Sequence, residues 1–219
     1  MLSEIFKLFW KTVERKDARR INSQTPPTEI EQFCDIQYID DGLWQHRLDV
    51  YSKSGKLSHR PVIIDIHGGG WMYGTKEINK NYCLVLAQND YVVVNINYRL
   101  APDFSVADQL RDCFFAFKWV STNIEKYGGD LNNVFVTGDS AGGFLAAYSA
   151  LLNSSEKLRK VFGVTESGLE FRACGLTSPV CFMNTHTFQD AYYSRVKGNE
   201  FSESTLRGFE NFDAVLNKG

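Results

Sequence analysis

The chain has 219 residues, 43% hydrophobic and 23% charged, with a formal net charge of −2. That length can bury a sizeable core, and the composition is that of an ordinary globular protein rather than a disordered or fibrous one. The charge balance gives no electrostatic case for nucleic acid, whose binding usually needs a basic face, so no nucleic-acid partner is expected.

Leu2, Ile5, Phe6, Phe9 and Val13 recur near helical spacing, so a helix is expected over Leu2–Arg20. Glu4, Lys7 and Lys11 interrupt it, which rules out the continuous apolar core of a signal peptide. No apolar run approaches the ~20 residues of a membrane span. Thr25-Pro26-Pro27 then separates this helix from the rest, because each proline disfavours helix in the residue before it.

Phe33–Ile39 reads as a strand, Asp40-Asp41-Gly42 as a turn, and the alternation of Trp44, His46, Leu48 and Val50 as a second strand. Together they predict an antiparallel hairpin, with a loop over Lys53–Pro61. From Val62 onward the pattern changes. Val62–Ile66, Tyr91–Ile96 and Val134–Val136 are short, nearly continuous apolar runs, and Ala173–Leu176 begins a fourth. Such runs suit strands covered on both faces. Helical stretches over Glu77–Gln88, Ser105–Tyr127 and Ala141–Asn153 separate them, which predicts an α/β fold with a mostly parallel sheet. Asp190–Gly219 is polar with scattered aromatics and reads as helix and loop. One domain over 1–219 is expected, with a cap-like helix at 1–25 and the core at 30–219.

Five cysteines without tight spacing, and no Cys-x-x-Cys, point to neither a disulfide framework nor a zinc site. A reducing, cytoplasmic setting is expected.

Two motifs fall at predicted strand ends, where sheets of this type bind ligands. Gly138-Asp139-Ser140-Ala141-Gly142 fits G-x-S-x-G between a strand and a helix. In that context the central serine sits on a sharp, strained turn with its hydroxyl above the sheet, and the flanking glycines leave room for the bend. Ser140 is therefore the candidate nucleophile. His67-Gly68-Gly69-Gly70-Trp71 follows another strand. Consecutive glycines leave backbone N–H groups unobstructed, and such donors stabilise the negative oxygen formed in acyl transfer. Gly68, Gly69 and Ala141 are the expected oxyanion donors. No Gly-Lys-Ser/Thr follows, so a P-loop is a poor reading. His67 is expected to brace the loop, and Asp139 to be structural. Trp71 and Tyr73 either line the acyl pocket or pack beneath the cap.

The His67–Gly70 and Gly138–Gly143 segments together resemble the HGGG and GDSAGG motifs of the hormone-sensitive-lipase-like branch of the α/β-hydrolase superfamily. Tyr98-Arg99-Leu100-Ala101-Pro102 is similar to a third motif of that branch, and Leu110–Val120, with Asp112 and Trp119, to its following helix. The resemblance covers about Val62–Leu152. It implies an α/β-hydrolase fold with helices on both sheet faces and an N-terminal cap helix. It also implies a carboxylesterase acting on a small-molecule ester through an acyl-enzyme, with neither metal nor organic cofactor. HGGGW resembles arylformamidases too, which keeps an amidase open.

The superfamily orders its triad Ser, acid, His, and nothing resembling its Asp-x-Leu-x-Asp acid segment follows Ser140. His186 is the only later histidine. Three readings compete. The chain is a C-terminally incomplete piece of an active esterase; it is a naturally short, inactive relative that binds ligands or partners; or His186 works with an upstream acid such as Glu166 or Glu170. Under the first, an unpaired strand edge and self-association are expected. The oligomeric state is not legible.

Overall fold

A computed structural model describes residues 2–55 and 59–181, with side chains from residue 8 onward. The elements, in chain order, are α1 (Leu2–Asn22), β1 (Ile30–Gln37), β2 (Arg47–Lys53), β3 (Arg60–Ile66), α2 (Lys80–Gln88), β4 (Val92–Ile96), α3 (Val106–Asn123), β5 (Gly129–Asp139), α4 (Ser140–Ser154), α5 (Glu156–Phe162) and β6 (Phe171–Thr177). Among the described residues six strands form one sheet in the order β1-β2-β4-β3-β5-β6. β1/β2 and β2/β4 pair antiparallel, whereas β3/β4, β3/β5 and β5/β6 pair parallel. This is the α/β fold with a mostly parallel sheet expected from the apolar runs, arranged as the resemblance implies.

Alternation along the strands explains why those runs are continuous. Val92, Val94 and Ile96 join Val62, Ile64, Ile66, Val134 and Val136 in one large core with α3 and α4. Val93 and Tyr51 point to the other face, against Cys83, Leu84 and Ala87 of α2. Both faces are covered, so neither needs polar residues.

The expected hairpin is present, but its second strand starts later. Trp44–His46 forms a 3-10 turn, and β2 begins at Arg47. His46 is turned inward by ion contacts of 2.6 Å with Asp41 and 3.2 Å with Asp112 of α3. Burial works against its charge, but hydrogen bonds and charge from Asp112 and Asp41 raise its pKa overall.

Ser105 caps α3 with a reciprocal capping box to Asp108, and the predicted helix ends four residues early, continuing as a 3-10 turn over Ile124–Tyr127. Helix α5 was not anticipated. Its cap is Ser155, whose hydroxyl accepts from the Leu158 N–H.

In α1 the residues turned toward the domain are Trp10, Val13, Asp17 and Ile21, at helical spacing. Phe9, assigned to that face from sequence, is 57% exposed. No helix among the described residues is long and apolar enough to cross a membrane. His186 and Asp190–Gly219 lie outside the described residues.

Candidate active site

Strand register brings the two motifs together. Ile66 of β3 pairs with Gly138 of β5, so the chain leaving each strand emerges beside the other. Gly68 then donates its N–H to Asp139 Oδ1 at 2.9 Å, between residues 71 apart in sequence. Two glycines permit this approach. A Cβ on Gly142 would collide with the Ile66 and His67 carbonyl oxygens, and one on Gly68 with the Asp139 carboxylate.

Ser140 opens α4 with a φ of +50°. A non-glycine residue held there stores backbone strain, and such strain persists only where the surroundings impose it. The segment after β6 helps to impose it. Val180 N–H donates to the Ser140 carbonyl at 3.2 Å, and Pro179 lies against Gly143. Among the described residues no imidazole hydrogen-bonds the Ser140 hydroxyl.

The glycine loop is braced from beneath. His67 is fully buried, with Nδ1 2.7 Å from the Gly68 carbonyl. A carbonyl only accepts, so Nδ1 carries the proton. Burial holds this imidazole down at about 4, so it is neutral at physiological pH. Tyr98 stacks on the ring at 4.4 Å and donates its hydroxyl to the His67 carbonyl at 2.8 Å. Ala101 N–H and Gln109 Nε2 both donate to the Trp71 carbonyl, at 2.8 and 2.9 Å. Arg99 grips the buried Asp112 with Nε and Nη2 at 2.7–3.0 Å. The segment Tyr98–Ala101 thus acts as a clamp on the loop before it.

Of the three expected oxyanion donors, Gly68 is corrected. Its N–H is taken by Asp139, which leaves it anchoring the loop. Among the described residues the Gly69 N–H donates to no acceptor. Ala141 lies in the first turn of α4, where N–H groups have no partner within the helix, and the N-cap Asp139 side chain makes no capping bond. Asp139 is structural, as expected.

Trp71 is also placed differently from a pocket-lining residue. It is 1% exposed and packs edge-on against Phe144 in the core. Tyr73 does line a cavity of about 650 Å³, with Leu8 and Trp10 of α1, Trp44, Met72 and Phe104. Tyr73 stacks on Trp10 at 5.3 Å and donates to Asp17 at 3.3 Å. Neither Trp71 nor Ser140 is among the cavity's lining residues.

Glu166 and Glu170 precede β6. Phe171 pairs with Val134 and Thr177 with Asp139, so both acids sit at the far end of the sheet from Ser140. At about 3.3 Å per residue that is on the order of 20 Å, and neither serves as an acid for this serine.

Sequence reasoning missed Asp65 and Asn79, which hydrogen-bond to each other beneath the loop. An aspartate inside the run Val62–Ile66 was the available signal, since a buried carboxylate requires a partner.

Comparison with known proteins finds similar chains among esterases and deacetylases. The chain is 46% identical over 130 residues to arylacetamide deacetylase of Oryctolagus cuniculus, covering 57% of this chain and 32% of that protein. It is 29% identical over 170 residues to isoprenylcysteine alpha-carbonyl methylesterase ICME of Arabidopsis thaliana, covering 77% and 39%. Among solved structures it resembles Esterase B of Lactobacillus rhamnosis, with a TM-score of 0.85 and 32% identity, over 90% of this chain and 64% of that one. The chain therefore spans roughly a third of these two curated relatives' lengths. A family model described as BD-FAE matches residues 48–184, which takes in the glycine loop, the clamp behind it and the serine turn; on that match, over more than half of its length, the chain belongs to the BD-FAE family.

Proposed function

We propose that this chain carries the nucleophile and the oxyanion donors of a serine hydrolase acting on small carboxylic esters. Ser140 attacks the ester carbonyl carbon. The carbonyl oxygen gains negative charge and is held by the N–H groups of Gly69 and Ala141. The bond to the leaving alcohol breaks to give an acyl-enzyme, which water then cleaves. A base must take the Ser140 proton, since an unassisted hydroxyl is a weak nucleophile.

The observation that carries this reading is the adjacency of the strained Ser140 turn and the glycine loop, joined by the Gly68–Asp139 bond. The similarity to an esterase, a deacetylase and a methylesterase supports the ester and acyl chemistry. The aromatic cavity bounded by Tyr73 and Trp10 is proposed to receive an apolar part of the substrate. All five cysteines are free, which suits a reducing compartment, and we place the protein in the cytoplasm.

Esterase B has been solved inhibited with a C4-C4 SN3 tributyrin phosphonate, which makes an alkyl phosphonate the natural probe. A phosphonate or fluorophosphonate adduct is expected on the peptide containing Ser140, lost in Ser140→Ala. An adduct that persists in Ser140→Ala overturns the assignment. Folded protein that takes no label favours a non-catalytic binding module.

A further inference from the structure

Asp139 occupies the N-cap position of α4. Aspartate is among the residues that normally cap a helix here, accepting from the second or third N–H of the first turn. Those amides are Ala141 and Gly142. A self-capping Asp139 would therefore set its carboxylate against the Ala141–Gly142 amides, one of which the proposed reaction needs.

The Asp139 carboxylate is held elsewhere. Asn79 Nδ2 donates to Asp139 Oδ1 at 2.9 Å, and the same nitrogen donates to Asp65 Oδ2 at 2.9 Å. Its two hydrogens serve two carboxylates. Asp65 is 1% exposed, and burial pushes it up to about 7.

Asn79 is itself fixed. It follows the 3-10 turn Lys76–Ile78, which is bolted to the sheet. Lys76 N–H donates to Asn97 Oδ1 and Asn95 Nδ2 to the Lys76 carbonyl, both at 2.7 Å. The Lys76 ammonium, 3% exposed, sits 2.9 Å from the buried Asp49. Asn79 is thus a rigid donor aimed at Asp139 from a separate part of the fold.

We propose that Asn79 is a positioning residue that keeps the oxyanion site open: it draws the Asp139 carboxylate away from the first turn of α4 and onto the Gly68 N–H. One side chain then has two effects. The Ala141 amide stays available, and the glycine loop is tied to the serine turn. The effect on reactivity rests on Ser140 being the nucleophile; the effect on the helix terminus does not.

The test compares the full chain with Asn79→Leu, which keeps the size and removes both donors. In the variant, phosphonate labelling at Ser140 is expected to slow by about a hundredfold, the scale of losing one oxyanion donor. Amide hydrogen exchange should slow at Ala141–Gly142, now capped by Asp139, and quicken at residues 67–74. Asn79→Asp is the second variant: Gly68 and Asn79 donate to the same Asp139 oxygen, and a carboxyl at 79 keeps the shape while removing that donor, so labelling should slow and exchange at Ala141–Gly142 should fall as in Asn79→Leu. Unchanged labelling and unchanged exchange at Ala141–Gly142 in either folded variant overturn the proposal. If Asn79→Leu does not fold, Asn79→Asp decides. If the unaltered chain takes no label, the Ser140 reading has failed, and exchange at Ala141 alone decides the role of Asn79.

Discussion

The strand-end site and the N-terminal helix are held by opposite means. At the site, main chain meets main chain where Gly142 lies on the Ile66 and His67 carbonyls, and meets the Asp139 carboxylate at Gly68, with no room for a methyl group at either. Helix α1 meets the domain through side chains, chiefly the Trp10–Tyr73 stack and the Tyr73–Asp17 hydrogen bond. Backbone contacts cannot be retuned by a point substitution, whereas side-chain contacts can. The packing of Gly142 is therefore the less adjustable of the two contacts, and the aromatic cavity lined by Trp10 and Tyr73 the more adjustable.

The sharpest way to break that contrast is Gly142→Ala. The added methyl group meets two carbonyl oxygens, and overpacking against rigid backbone should cost about 3 kcal/mol or more. A fall of roughly 10 °C in the unfolding midpoint, with loss of Ser140 labelling, is expected. A variant that melts and labels like the parent would show that the approach is not tight.

A second effect, of similar size, lies in acid. Folded His67 titrates at about 4 against an ordinary value of 6.5. Between those values the unfolded chain binds a proton that the folded chain refuses, so stability falls as pH drops from 6.5 to 4. At 1.36 kcal/mol per pKa unit the loss is about 3 kcal/mol. Urea denaturation of His67→Asn across that window should show a smaller acid loss than the parent. Parallel curves would contradict the burial argument. His46 works in the other direction. Its raised pKa means that its contribution is complete below the unfolded value and is lost as pH rises through the folded one.

The smallest effect is predicted at α1. Trp10→Ala removes a stacked pair worth about 1 kcal/mol, and should lower the midpoint by a few degrees. Labelling by the smallest phosphonates should hold while the preference among longer acyl chains shifts. Equal shifts for small and large probes would mean that the cavity and the serine turn are mechanically one unit.

How far the sequence revealed this arrangement depended on whether the cause was local. The runs Val62–Ile66 and Tyr91–Ile96 read correctly as buried strands, because coverage on both faces is written in consecutive residues. Ser140 and the glycine triplet read correctly as neighbours, because each motif carries its own turn. Trp44 and His46 alternated like a strand, but His46 answers to Asp112 on a distant helix. Gly68 looked like an oxyanion donor from its loop alone; its true partner, Asp139, is 71 residues away. Asn79 carried no local mark at all. Hydrogen-bond partners across a sheet are set by strand order, and the order β4-β3-β5 is not legible in any one segment.

The parallel register of β3 with β5 has a biosynthetic corollary. Strands of that kind join only after an intervening crossover is complete, so their assembly is non-local and comparatively slow. A nascent chain that has emerged only as far as α3 holds the glycine loop without its counterpart and is chemically silent. If Ser140 is the nucleophile proposed above, covalent capture there would begin only when tertiary structure closes, and would time folding.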